Sequence, residues 1–289
     1  MAVFQNGGVL AGIDGSDHSN AVIDYAIWFA KHNQIPLLLL HTIEHSHLSE
    51  QIDHNGNLVP NMREHLLDEL SDGERLESKQ LIADGKRILA MAKEKAQRAG
   101  IEDPITKQRH GTLPEALTDL QTGASIVVLG ARGEDHDRGN EGLGAQLEAA
   151  IRASHKPIFV TRTRFSKPRK VLFAYNGSPT SNKALNQLKQ GTFFDSSIEL
   201  HIVCVQKTLV EAANLIKNAE TELKDLDATI FTKAFTGEAV KMLTQYQQEK
   251  AIDITVMGAF SHGKIHGFFF GSFTTQMLLE GSGQYLLIR

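Results

Sequence analysis

Short apolar runs alternate along the chain with stretches in which apolar residues recur every three or four positions. VLAGI at 9–13, PLLLL at 36–40, SIVVL at 125–129 and PIFVT at 157–161 are runs of the first part. KVLFAY at 170–175, IELHIVCV at 198–205, ITVMG at 254–258 and QYLLI at 284–288 belong to the second. Runs of this length, bounded by turn residues and apolar at nearly every position, predict strands buried on both faces. The stretches between them, such as AVIDYAIWFA at 21–30, carry a helical period. LIADGKRILAMAKEKAQRA at 81–99 predicts a core-packing helix with a basic outer face. Strands alternating with helices imply a parallel sheet covered on both sides.

The pattern occurs twice. GGVLAGIDGSDHSNAVIDYAIWFA at 7–30 matches RKVLFAYNGSPTSNKALNQLKQG at 169–191, and PLLLLHTIEH at 36–45 matches IELHIVCVQ at 198–206. GTLPEALTDL at 111–120 then corresponds to FTGEAVKMLTQY at 235–246, SIVVLGARGE at 125–134 to DITVMGAFSH at 253–262, and HKPIFVTR at 155–162 to GQYLLIR at 283–289. Each half therefore predicts βαβαβαβαβ. Two tandem doubly wound α/β domains are expected, at 1–164 and 165–289, joined through the basic, proline-containing TRTRFSKPRK at 161–170. The first half alone carries an extension, about 46–80, in which MREHLLDEL has helical spacing and HNGNLVP reads as a turn. A solvated excursion, a lid and an interface are all open for it.

Composition narrows the classes. The chain has 289 residues, 41% hydrophobic and 22% charged, with mean hydropathy -0.22. No apolar run approaches the ~20 residues of a membrane helix, and MAVFQNGGVLAGID lacks the basic start of a signal peptide. The one cysteine, Cys204, leaves no disulfide framework and fits a reducing cytoplasm. Residues 1–164 hold 17 Lys+Arg against 23 Asp+Glu, and residues 165–289 hold 13 against 11. Neither half has the dense basic stripe of a nucleic-acid binder.

In open α/β sheets ligands bind beyond the carboxyl ends of the strands, where helix N-termini offer free N–H groups to phosphate. After the fourth strand of the second half, MGAFSHGKIHGFFFGS supplies Gly258, Ser261 and then Gly271-Ser272, a G-x2-S-x9-G-S spacing. Its counterpart GARGEDHDRGNEGLGA has Gly130 and Gly133 but returns at Gly144-Ala145, with ten residues between Gly133 and Gly144. EDHDRGNEGL within it carries four carboxylates, which repel a triphosphate unless an ion intervenes.

On VLAGIDGS at 9–16, VLFAYNGS at 171–178, RASHKPIFV at 152–160 and MGAFSHGKIHGFFFGSFTTQML at 257–278, the chain resembles the universal stress protein family. The likeness is to its bacterial tandem members. It implies a sheet of order 3-2-1-4-5 in each half, with the ends of strands one and four side by side. It also implies an ATP site built on G-x2-G-x9-G-[ST], an acidic residue after strand one and a small residue after strand two. Carried onto this chain, the second-half site comprises Asn176, Val205, Gly258, Ser261, Gly271 and Ser272. The first-half site comprises Asp14, Thr42, Gly130, Gly133, Gly144 and Ala145. The halves depart from the pattern differently. Ser261 stands for the second glycine, a change costing about a kcal/mol or more if φ there is positive. Asn176 stands for the acid and can still serve a ribose hydroxyl. Lys264 and His266 add cationic groups to the loop, and Phe268, Phe269 and Phe270 read as packing residues. In the first half the spacing and the closing hydroxyl are both missing.

Other constellations carry less. His41, His45, His47 and His54 lack an ordered third metal ligand, and His41 is expected in or beside the core, as Cys204 is at the matching position. Asp14-Gly-Ser16 and Asn176-Gly-Ser178 supply no base for a nucleophilic serine, so both serines are expected to cap helices. The expectation is a cytoplasmic stress-response regulator that binds ATP or a related phosphate-bearing ligand, with Mg where a triphosphate is held, and acts through a protein partner. A ligand-free adaptor and a slow ATPase stand as alternatives. The closing strands, apolar and at a sheet edge in the family's order, are expected to pair: within the chain, with a homodimer also open.

Overall fold

The computed structural model describes residues 4, 7–43, 60–131, 145–191, 193–194, 197–259 and 272–289. The first half runs β1 (Val9–Gly12), α1 (Asp17–Asn33), β2 (Leu37–Ile43), α2 (Pro60–Arg98), β3 (Ile105–His110), α3 (Leu113–Leu120), β4 (Ile126–Gly130), α4 (Ala145–Ala153) and β5 (Ile158–Thr161). The second runs β6 (Lys170–Ala174), α5 (Pro179–Lys189), β7 (Glu199–Gln206), α6 (Leu209–Glu222), β8 (Thr229–Thr236), α7 (Ala239–Lys250), β9 (Ile254–Gly258), α8 (Ser272–Glu280) and β10 (Gln284–Ile288).

All ten strands join one sheet in the order β3-β2-β1-β4-β5-β10-β9-β6-β7-β8. Every neighbouring pair is parallel but one: β5 and β10 run antiparallel, Phe159 opposite Leu286. These two are equivalent positions of the repeat, so the join has a local two-fold at its centre. The strands of the two halves consequently point in opposite directions, and their carboxyl ends lie at opposite rims of the sheet.

One apolar core lies on each side. Residues of α1, α2, α5 and α6 pack against one face, with Tyr25, Phe29 and Phe159 buried among them. Phe159 meets Tyr25 at 4.9 Å and Phe29 at 5.0 Å between ring centroids, and Trp28 of the first half meets Phe194 of the second at 6.3 Å. Residues of α3, α4, α7 and α8 cover the other face. His41 is buried on β2 and Cys204 on β7, as their matching positions imply.

The extension departs from its sequence reading. Residues 44–59, with His45, His47 and His54, lie outside the described residues, but 60–80 are not an excursion separate from the core-packing helix. They continue into it as one 39-residue α2. Gly85, which argues against such a helix, is required where α2 crosses β2: a Cβ there would stand 2.8 Å from His41 Nδ1 and 2.1 Å from Gln108 Nε2.

Truncating Phe159 removes a fully buried aromatic ring from the join. Phe159→Ala is expected to lower the unfolding free energy by about 3–5 kcal/mol, measured by urea denaturation, with the transition broadening if the two halves then unfold separately.

Candidate functional site

The turn after the first strand of each half is built the same way. Gly15 and Gly177 have φ of 86° and 73°, a left-handed conformation open to glycine. A Cβ on either would also press into the helix above, 2.6 Å from Ile88 or 2.7 Å from Leu215. From this shared turn the halves diverge. In the second, Ser178 caps α5, its hydroxyl accepting from the Ser181 N–H at 3.3 Å, while Asn176 Oδ1 accepts from the Ser178 N–H at 3.1 Å. In the first, Ser16 holds the N-cap position but makes no cap bond with its side chain. Its hydroxyl donates instead to Asp14 Oδ1 at 2.7 Å, and Ser19 donates to the same oxygen at 2.7 Å. The expected serine cap therefore holds for Ser178 and fails for Ser16, whose hydroxyl is turned toward Asp14.

A cavity of about 280 Å³ opens at the carboxyl rim of the second half. Asn176, Val205 and Gly258 line it, as expected. So do Ser178 and Ser181 from the α5 turn, Val203 and Met257 from the strands, and Ala239, Phe273 and Thr274 from α7 and α8. Gly258 has a packing reason as well: a Cβ there would stand 2.8 Å from the Ser181 backbone nitrogen and 2.7 Å from Thr180 Oγ1. The glycine lets β9 approach the start of α5. Ser272 opens α8 at the same rim; Ser261, Gly271, Lys264, His266 and Phe268–Phe270 lie outside the described residues.

A larger residue stands at the corresponding place in the first half. A Cβ at Gly12 would stand 2.8 Å from Leu129 and 3.3 Å from Leu113, which occupies the repeat position of Ala239. Thr42 lies at the end of β2, and Gly130 ends β4 beside β5. Ala145 opens α4, while Gly133 and Gly144 fall outside the described residues. Ala239 and Thr274 belong to no motif. Setting GTLPEAL beside FTGEAVKML shows the Leu-to-Ala exchange, but the size of residue 239 gains meaning only once α7 is seen over the cavity.

Two imidazoles of the sheet, on β2 and β7, are buried. Burial pushes the His41 side chain below its ordinary pKa, opposed by the nearby Asp14 carboxylate, and Nδ1 finds no hydrogen-bond partner among the described residues. Burial likewise lowers His201, opposed by Glu199, while its Nδ1 lies 2.9 Å from the Tyr246 hydroxyl. Among the described residues no group of His, Cys, Asp and Glu could hold a metal ion, and no helix is long and apolar enough to cross a membrane.

The topology defines a doubly wound α/β protein, and comparison with known proteins specifies it. The universal stress protein family model matches residues 7–162 and again 167–289, and the chain belongs to this family. The Universal stress protein Slr1230 of Synechocystis sp. is 34% identical over 286 residues, covering 97% of this chain and 99% of that one. The Universal stress protein YxiE of Bacillus subtilis is 32% identical over 126 residues, 43% of this chain and 78% of its own. A universal stress protein structure from Archaeoglobus fulgidus superposes with a TM-score of 0.72 at 19% identity, over 98% of both chains.

An imidazole that resists protonation when folded leaves stability intact above its unfolded pKa, about 6.5, and erodes it as the pH falls below that toward the lower folded value. The unfolding free energy is therefore expected to decline between about pH 6.5 and the folded values of His41 and His201. His41→Leu, which removes a charge that the unfolded chain accepts more readily, is expected to flatten that decline in urea titrations at stepped pH.

Proposed function

We propose that this chain is a cytoplasmic stress-response regulator whose second half binds ATP or a related adenine nucleotide and presents its occupancy to a protein partner. The observation that carries the reading is the cavity at the carboxyl rim, large enough to begin enclosing a nucleoside. Its walls divide by chemistry. Val203, Val205, Met257 and Phe273 offer apolar surface for a base. The exposed Asn176 amide faces outward for a ribose hydroxyl. Thr274, in the first turn of α8, stands where the partial positive charge of a helix start favours phosphate, and Ser272 opens that helix. Gly258, Ser261 and Gly271 complete the loop by the family spacing. When bound, Mg²⁺ would offset the phosphate charge.

The described residues lining the cavity contain hydroxyls and an amide but no carboxylate or imidazole to activate water. That favours binding over hydrolysis. In the first half, the bulkier Leu113 beside Gly12 and the lost loop spacing favour the opposite outcome: the set Asp14, Thr42, Gly130, Gly133, Gly144 and Ala145 serves as a structural turn rather than a nucleotide site. The proposed domain boundary is 164/165, which falls between the matched segments 7–162 and 167–289.

Mass spectrometry of the gently purified, then denatured chain, followed by calorimetry with MgATP, tests the reading. Nucleotide carried through purification or a measurable heat of binding is expected; neither would overturn it and leave the ligand-free adaptor. Ala239→Leu, which transplants the first half's leucine, is expected to weaken MgATP binding at least about tenfold, the loss of roughly 1.4 kcal/mol. Circular dichroism should stay unchanged.

A further inference from the structure

The helices that follow the two glycine loops, α4 and α8, end in the same way. Within each half, a glutamine from the preceding helix reaches the turn beyond the C-terminus. Gln121 Oε1 accepts from the His155 N–H at 2.9 Å and from the Ser154 hydroxyl at 3.1 Å. Gln247, fully buried at the equivalent position, accepts from the Ser282 N–H at 3.1 Å and donates to the Tyr285 hydroxyl at 3.0 Å.

The second support crosses between halves. Arg289, just after β10, donates through one guanidinium nitrogen to the carbonyls of Ile151 at 3.2 Å and Ser154 at 2.8 Å, and to that of Arg152. These are the terminal carbonyls of α4 in the first half. Arg162, just after β5, donates to the carbonyl of Gly281, immediately beyond α8 in the second half. Arg162 and Arg289 occupy matching places in HKPIFVTR and GQYLLIR. A cation at a helix C-terminus both satisfies orphan carbonyls and complements the macrodipole.

The arrangement is tied to the strand join. Gln284 Oε1 accepts from the Arg162 N–H at 2.6 Å, which fixes the backbone from which that arginine reaches. Gly281 has room only for hydrogen, since a Cβ there would collide with the Tyr285 hydroxyl. The C-terminus of α8 is thus pinned among Gln247, Tyr285 and an arginine of the other half. The first turn of α8 supplies Phe273 and Thr274 to the cavity wall. A rigid nine-residue helix passes any displacement of one end to the other.

We infer that Arg162 and Arg289 form a reciprocal latch, each holding the loop-borne helix of the opposite half, and that Arg162 is thereby a positioning residue for the second-half ligand cavity. The latch stands on the geometry alone; its link to ligand rests on the nucleotide reading above.

Amide hydrogen exchange on the full chain tests the first part. Arg162→Ala is expected to speed exchange in the last turn of α8 about tenfold or more with α4 unchanged, and Arg289→Ala to do the reverse, since local opening reports local contacts. Arg162→Lys, which keeps a cation at the helix end, is expected to recover most of the protection. If the alanine variant does not fold, Arg162→Gln carries the same comparison. Unchanged exchange in α8, or equal loosening of both helices by either variant, overturns the latch. Calorimetry with MgATP tests the second part. Weaker binding in Arg162→Ala with Arg289→Ala unaffected supports positioning; unchanged affinity alongside a loosened α8 overturns it. A wild-type chain that binds no MgATP brings down the nucleotide reading and with it the positioning role, while exchange still decides the latch.

Discussion

Every other feature of this molecule depends on the antiparallel pairing of β5 with β10. All four residues of β5 and all five of β10 are buried. Either strand, left at an edge, would present a row of unpaired backbone groups flanked by apolar side chains on both faces, the arrangement that invites association. Joining them satisfies both edges at once. Because the halves are copies, the join takes a two-fold, and the two-fold fixes the rest. The helices α1, α2, α5 and α6 fall on one face and α3, α4, α7 and α8 on the other, while the carboxyl rims point in opposite directions. Ligand sites in the two halves cannot touch. Whatever passes between them goes through the middle of the sheet and the side chains that cross it.

Much of this was legible in the sequence because buried parallel strands leave a signal that survives without context. Runs such as PLLLL and IVVL are apolar at consecutive positions, and the repeat doubles each observation. The long α2 was not legible for a physical reason. The stretch SDGERLESKQ at 71–80, between MREHLLDEL and the helix read at 81–99, carries no apolar stripe, and Gly73 and Gly85 count against a helix by propensity. Gly85 is explained only by the crossing with β2, where a side chain would meet His41. The strand-borne part of the site, Asn176, Val205 and Gly258, followed from position after the strands. Ala239, Phe273 and Thr274 come from helices on one face of the sheet, and their convergence is a tertiary fact.

The two copies also show one motif put to two uses. Asp14-Gly-Ser16 and Asn176-Gly-Ser178 make the same left-handed turn, yet the carboxylate of the first draws the hydroxyls of Ser16 and Ser19 to itself. Asn176, a weaker acceptor, takes one backbone N–H, and Ser178 is free to cap α5. The acid that the family pattern associates with a ligand is thus engaged within its own turn in the first half. The amide that replaces it is exposed at the mouth of a cavity in the second.

The difference between Leu113 and Ala239 has an energetic direction. A leucine over the strand ends is what packing alone favours, since it adds apolar burial and leaves no void. An alanine at the same place forgoes those contacts and keeps an opening lined by Val203, Met257 and Phe273. Unoccupied, that opening leaves its apolar walls without contact partners, which a compensating interaction would supply. A bound ligand supplies one by mass action, stabilising the folded state in proportion to its occupancy. On the proposed reading, a nucleotide covers the apolar walls that Ala239 leaves open, where the first half places Leu113.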